Sequence, residues 1–152
     1  MLRAIWTKEL RLALVYGTYS QLFWLDEMEG ENSSFGVDTV IGGLTESGEI
    51  GNFDQDTYKQ ILAEIINHQA SNDQILAGIT KEWLKTPILV RAVMLVFWQE
   101  FHSTKDIAGF NIKKLVSQYI AIATTHIGET GSNLVHALST GIIKKSDVDT
   151  KI

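Results

Sequence analysis

The sequence contains no cysteine, only one proline and no long uninterrupted apolar run. Without cysteine, neither a disulfide framework nor a thiolate metal site can form, and a reducing compartment is the simplest interpretation. The longest apolar stretch, residues 88–98, is interrupted by Arg91 and is far shorter than the roughly 20 residues that a membrane-spanning helix needs. Residues 1–14 carry several charges and lack the apolar segment of a signal peptide. These absences predict a cytoplasmic protein with no membrane span.

Recognisable catalytic, metal and cofactor motifs are also missing. The four histidines are His68, His102, His126 and His136. None of them is four residues from another, so no pair is spaced to hold a metal on one helix. Residues 38–49 match a calcium loop only in part, because Val40 stands where an oxygen ligand is required. The glycines around residues 42–48 lack the lysine and hydroxyl pair of a nucleotide-binding loop, and no nucleophile elbow occurs. We therefore expect no enzyme activity, no cofactor and no metal.

The residues that are present suffice for one globular domain. Of the 152 residues, 45% are hydrophobic and 20% are charged, which is apolar enough to fold and too weakly charged for disorder. The net charge is −5, but residues 26–56 hold nine acids and no lysine or arginine. The rest of the chain contains the other nine acids and all thirteen basic residues, so its net charge is +4. A mildly basic body of this kind can still present a phosphate-binding face.

Apolar residues recur at helical spacing outside residues 29–53. Thr7 is placed to cap a first helix, and Asp54 or Asp56 to cap a second. Ser71 is placed to cap a third, which carries Ile75, Leu76, Ile79 and Trp83. The apolar positions of the first two helices are Leu12, Val15, Tyr16, Tyr19, Leu22 and Phe23, then Tyr58, Ile61, Leu62, Ile65 and Ile66.

The second half of the chain has clearer start and stop signals. Pro87 is suited to the first position of a helix, and residues 88–101 are apolar nearly all round, which is typical of a central core helix. A loop over residues 102–109 precedes the next helix, and Gly128 is well placed to end that helix. Thr130 or Ser132 is placed to start the last one. The apolar positions of these two helices are Ile112, Leu115, Val116, Tyr119, Ile120, Ala123 and Ile127, then Leu134, Val135, Leu138 and Ile142.

The pattern as a whole predicts an all-α bundle of six to seven helices, because no segment alternates with the period of a strand. We expect one domain over residues 1–143, with a mobile, acidic, Gly-rich loop at about residues 29–53. Residues 144–152 are expected to form a flexible tail.

Two groups of basic residues are candidates for binding nucleic acid. Arg3, Lys8 and Arg11 lie on or beside the first helix, and Tyr19 follows further along it. Lys113 and Lys114 open a later helix, and polar residues that could contact a sugar–phosphate backbone follow them. These polar residues are Ser117, Gln118, Thr124 and Thr125. On spacing alone, ordinary solvated helix faces are the favoured interpretation of both groups.

Several segments resemble the transcription antitermination factor NusB. The stretch RAVMLVFWQEF (residues 91–101) is similar to the buried helix of that family, and Asp106-Ile107 to its Asp-Val-Pro turn. The stretches VSQYIAIAT (residues 116–124) and LVHAL (residues 134–138) are similar to its next helix and to its closing motif. RLALVYGTY (residues 11–19) resembles its first helix. The chain departs from the family at Ala108, at Ser117-Gln118, at His136-Ala137 and in a thinned N-terminal arginine cluster.

The resemblance implies an RNA-binding adaptor without enzyme activity. NusB-like proteins pair with the ribosomal protein NusE and bind the boxA element of ribosomal RNA leaders, where the complex helps RNA polymerase to resist termination. Lys8, Arg11 and Tyr19 would contact single-stranded RNA, with Arg3, Lys113 and Lys114 as weaker candidates. The alternative is a helical protein-interaction domain of the same fold that has lost RNA binding, which the acidic segment and the pI of about 5.3 favour. The sequence leaves self-association into a homo-oligomer open.

Overall fold

The computed structural model describes residues 6–28, 53–79 and 83–150. Arg3, almost all of the predicted loop at residues 29–53, and the last two residues lie outside this part. The described residues form six α-helices and no strand, which confirms the all-α class. They are α1 (Lys8–Met28), α2 (Gln55–Asn67), α3 (Gln69–Ile79), α4 (Ile88–Thr104), α5 (Ile112–His126) and α6 (Glu129–Thr150). A short 3-10 turn, Trp83–Lys85, precedes α4.

The chain divides into two compact units, Met1–Asn67 and His68–Ile152, which are described separately. The assignment of residues 1–143 to one domain stays a prediction. None of the helices in the described ranges is long and apolar enough to cross a membrane.

In the N-terminal unit, α1 packs against α2. Both predicted caps are confirmed: the Thr7 hydroxyl accepts a hydrogen bond from the backbone N–H of Leu10 at 3.1 Å. Asp54 Oδ1 accepts from the N–H groups of Asp56 and Thr57. Helix α2 buries the stripe that its spacing predicts, with Tyr58 and Ile65 almost fully covered.

Helix α1 is covered more completely than an amphipathic pattern indicates. Every residue over positions 10–22 is buried except Tyr16 and Tyr19, which are partly exposed. The covered set includes the polar residues Thr18, Ser20 and Gln21. Gly17 lies against α2, because a Cβ built there would come within 2.5 Å of the Tyr58 hydroxyl. The prediction of a single buried face on this helix was therefore wrong.

In the C-terminal unit, α4 is the central core helix that the sequence predicts. All residues from Ala92 to Trp98 are buried, together with Val90 and Glu100. Pro87 is the N-cap residue and has an extended backbone (ψ 147°). The helix therefore begins at Ile88, one residue later than predicted. Helices α5 and α6 both pack against α4 and against each other.

Several helix ends differ from the prediction. Helix α3 begins at Gln69, and the Ser71 hydroxyl donates to the His68 carbonyl inside the helix instead of capping it. Trp83 lies beyond the end of α3, where its indole N–H donates to Asp73 Oδ1 at 2.9 Å. The α4–α5 loop spans residues 105–111 instead of 102–109, since α4 continues to Thr104 and α5 begins at Ile112.

The last two helices meet at Gly128, as predicted. Gly128 has φ +97°, a conformation that favours glycine. Helix α6 begins directly after it at Glu129 and extends to Thr150, so residues 144–150 of the predicted tail are helical.

Candidate nucleic-acid interface

The N-terminal basic group is built on the first turn of α1. Thr7 fixes the start of the helix, so that Lys8 is its first residue and is exposed to solvent. Glu9 follows in the same turn, where its negative charge is favourable beside the positive end of the helix dipole. Arg3 lies outside the described residues. The described part of this group thus has one exposed cation beside one acid.

Arg11 is placed differently from Lys8. Its side chain is only 8% exposed, although it lies three residues further along the same helix. A guanidinium buried to this degree is held by the protein around it, and it offers little surface to a phosphate. Lys8 and Arg11 are equal candidates in the sequence, but only Lys8 is exposed to solvent. The role of Arg11 in RNA binding stays a prediction.

Tyr19 is partly exposed, and it lies eleven residues after Lys8. Eleven residues are close to three helical turns, so the two side chains start from the same side of α1, about 16 Å apart along its axis. Leu12 and Val15 lie between them on that side and are buried. Lys8 and Tyr19 are therefore separate exposed points and not parts of one continuous surface.

The second basic group opens α5 in the C-terminal unit. Asn111 caps this helix, and its side chain accepts a hydrogen bond from the backbone N–H of Lys114 at 3.2 Å. Lys113 and Lys114 are both exposed in the first turn. The cap holds the two lysines at the positive end of the helix dipole, where anions are stabilised.

The α5 face, defined as Lys113, Lys114, Ser117, Ala121, Thr124 and Thr125, is exposed along the whole helix. No aspartate or glutamate occurs in α5. The face ends at a pair of hydroxyls, because Thr124 Oγ1 and Ser132 Oγ are 2.9 Å apart. Exposed lysines and hydroxyl side chains on a helix that carries no acid of its own are suited to a sugar–phosphate backbone.

The opposite side of α5 fixes its orientation. Leu115, Tyr119, Ile122 and Ala123 are buried. The Tyr119 hydroxyl donates to Glu100 Oε1 of α4 at 2.6 Å, and the Tyr119 ring meets the edge of Phe97. Both partners of this hydrogen bond are almost fully covered. A buried polar pair of this kind has few alternative partners, so it holds α5 in one rotation and keeps the α5 face outward.

The histidines do not form a metal centre in the described residues, where no group of three or more His, Asp or Glu side chains could hold an ion. His102 lies among aromatic side chains. Its ring packs against Trp98 and Phe101 at centroid distances of 4.2 and 5.2 Å. This burial, and secondarily the charge of Lys105, lower the pKa of His102 below its ordinary value of 6.5.

Sequence reasoning did not identify the Asn111 cap, although an asparagine directly before an apolar-periodic segment is a recognisable signal. It also gave Lys8 and Arg11 equal weight, because spacing does not report which side of a helix a neighbour covers. In comparisons with known proteins, no family model, no curated protein and no solved structure matches this chain.

Proposed function

We propose that this protein is a non-enzymatic RNA-binding adaptor of the NusB type, which binds boxA-like single-stranded RNA together with the ribosomal protein NusE. In this role it would join an RNA polymerase antitermination complex. The observation that carries the proposal is the α5 face, where two exposed lysines and three hydroxyl side chains lie on one helix without an acid.

The positions of the resembling segments support the proposal. Residues 91–101 lie in the buried helix α4, and Asp106 lies in the turn that follows it. Residues 116–124 lie in α5, and residues 134–138 lie in α6. Each segment therefore has the kind of structure that the resemblance implies for it.

The charge of the chain argues for a partner in RNA binding. Affinity for a polyanion rises with each phosphate that a cation neutralises, and the α5 face has only two lysines. The net charge of −5 opposes non-specific binding. The chain alone should therefore bind RNA weakly, and NusE should add the missing contacts.

The test measures RNA affinity at several salt concentrations with fluorescently labelled boxA-like and scrambled RNA, with and without NusE. The variant Lys113→Ala/Lys114→Ala removes both cations of the α5 face. The matched control Lys85→Ala/Lys144→Ala removes two exposed lysines elsewhere in the same unit. We expect the first variant to flatten the salt slope by about 0.7 for each lost phosphate contact on single-stranded RNA. The control should leave the slope unchanged.

The opposite result would reject the proposal. If the complex with NusE binds boxA-like and scrambled RNA equally, and both double variants match the wild type, the chain is not an RNA-binding adaptor. The second candidate, a helical protein-interaction domain that has lost RNA binding, would then stand. The burial of Arg11 favours this candidate, since it withdraws one of the predicted cations from solvent.

A further inference from the structure

Phe110 is a partly exposed aromatic residue at the start of α5. It directly precedes the cap residue Asn111, and the exposed Lys113 and Lys114 follow in the first turn of the helix. One turn of an α-helix rises only about 5.4 Å. The aromatic ring and the two ammonium groups are therefore presented at the same end of the α5 face, although the proposed function assigns no part to the ring.

The Phe110 ring is held in place from the protein side. It lies against Phe101 of α4, with 6.0 Å between the ring centroids and an interplanar angle of 62°, an arrangement that stabilises aromatic pairs. The backbone N–H of Phe110 donates to the Ile107 carbonyl at 3.1 Å. A ring that is fixed in this way loses little conformational entropy when a ligand stacks on it.

The chain beside Phe110 leaves room for a ligand. Ala108 and Gly109 are exposed, and Gly109 has φ +86°, a turn conformation that favours glycine. A Cβ built on Gly109 would meet nothing within 4 Å outside its chain neighbours. A flat ligand can therefore approach the exposed part of the ring from this side.

The charge of the chain around Phe110 is mainly positive. Residues 105–114 contain three lysines and one acid, Asp106, so the segment has a net charge of +2. All four of these charged residues are exposed. The segment therefore favours a negatively charged ligand, and the aromatic ring favours one that also has a flat apolar part.

Phe53 has the same position at the start of α2 but different surroundings. It is also partly exposed and directly precedes a cap residue, Asp54. Its ring meets Tyr58 at a centroid distance of 5.5 Å, which is the packing that an apolar residue before a cap commonly makes. Residues 54–58 contain two aspartates and no lysine. A structural role is thus open to both rings, and the pair of lysines distinguishes Phe110.

We infer that Phe110 stacks an unpaired base of single-stranded RNA whose neighbouring phosphates are held by Lys113 and Lys114, an inference that rests on the proposed function. Aromatic side chains stack on bases of any sequence, because every base has a π-face. Lysines bind the phosphates and carry no information about the base. The two contacts together would distinguish a nucleic acid from a simple polyanion.

The test compares two ligands in titrations of the full chain with NusE. One is the boxA-like RNA, and the other is a strand of the same length in which abasic ribose replaces every nucleoside, so that only the sugar–phosphate backbone is left. Phe110→Leu keeps an apolar side chain but removes the ring, whereas Phe110→Tyr keeps the ring. The matched control, Phe53→Leu, makes the same change before α2.

We expect Phe110→Leu to weaken binding of the RNA about fivefold or more. It should leave the affinity for the abasic strand and the salt slope unchanged, because the phosphate contacts remain. Phe110→Tyr and Phe53→Leu should bind both ligands like the wild type. In the wild type, the ring resonances of Phe110 should move upfield when the RNA is added and not when the abasic strand is added.

Three outcomes would overturn the inference. One is that Phe110→Leu binds the RNA like the wild type, and another is that it weakens both ligands equally. The third is that it weakens NusE binding in the absence of RNA, which would assign the ring to a protein contact. In each case a flattened salt slope in Lys113→Ala/Lys114→Ala would still support the proposed function. If that double variant also matches the wild type, the proposed function and the inference fail together.

Discussion

Arg11 of α1 and the two lysines that open α5 lie in opposite surroundings. Arg11 belongs to a helix in which nearly every residue over positions 10–22 is covered. Lys113 and Lys114 stand in the open first turn of α5, whose polar side faces solvent. Of these three cations, Arg11 is therefore committed to the interior, whereas Lys113 and Lys114 are available to a ligand.

The comparison shows what a helical period can and cannot report. An apolar stripe identifies the side of a helix that packs most strongly, but it does not show whether the other side is also covered. In α1 the second side carries small and hydroxyl residues such as Gly17, Thr18 and Ser20. These residues allow close approach without an apolar signature, so the sequence made α1 look half-exposed.

The largest expected effect is the cost of adding one methyl group to the covered helix. Gly17→Ala would drive a Cβ into the Tyr58 hydroxyl and to within 3.2 Å of Leu62, so it should destabilise the protein by about 1–3 kcal/mol. Gly78→Ala is the matched control, because its Cβ would meet nothing within 4 Å. It should stabilise the protein by about 0.5–1 kcal/mol through helix propensity. Urea unfolding distinguishes the two, and equal shifts would contradict the close packing of α1.

A smaller effect separates the two kinds of cation. Arg11→Ala should cost about 1–2 kcal/mol of unfolding free energy, because it removes the packing of a buried side chain. Lys113→Ala should stay within about 0.5 kcal/mol of the wild type, since the side chain is exposed. Arg11→Met, which keeps most of the apolar stem, should recover part of the loss. If Arg11→Ala is as neutral as Lys113→Ala, the contrast between the helices fails.

The smallest effect concerns His102, whose surroundings are intermediate between the two. Burial lowers its pKa in the folded protein, so the unfolded chain binds a proton more readily. The resulting stability is fully present above the ordinary value of 6.5 and falls as the pH drops from there towards the folded pKa. His102→Gln should make unfolding less sensitive to acid below the ordinary imidazole pKa of 6.5. The measurement is the free energy of unfolding of both proteins as a function of pH, and an unchanged pH profile in His102→Gln would contradict the desolvation of this imidazole.

Much of the fold was predictable because its signals are local. Thr7, Asp54 and Gly128 are recognisable from their own chemistry and their immediate neighbours. Helix α4 was predictable because residues 88–98 are almost entirely apolar, and such a segment is stable only when it is covered. The buried face of α2 was predictable because its apolar residues recur at helical spacing.

The remaining features depend on contacts between distant residues. Trp83 pairs with Asp73 ten residues earlier, which takes it out of the helical pattern that it seemed to continue. The pairing of Glu100 with Tyr119 needs two helices in place. Of the candidate RNA residues, Lys8, Lys113 and Lys114 are exposed as a binding role needs, whereas the burial of Arg11 could not be read from one sequence.

The Gly128 turn also has a consequence for the order of folding. It joins α5 to α6 through two residues, and the hydrogen bond between Thr124 and Ser132 closes the turn across eight positions. Contacts so near in sequence cost little loop entropy, and they form faster than distant ones. This helical hairpin should therefore be among the first parts of the chain to gain protection in pulsed hydrogen exchange. The lysines at its start would then be in place before α4 is fully enclosed.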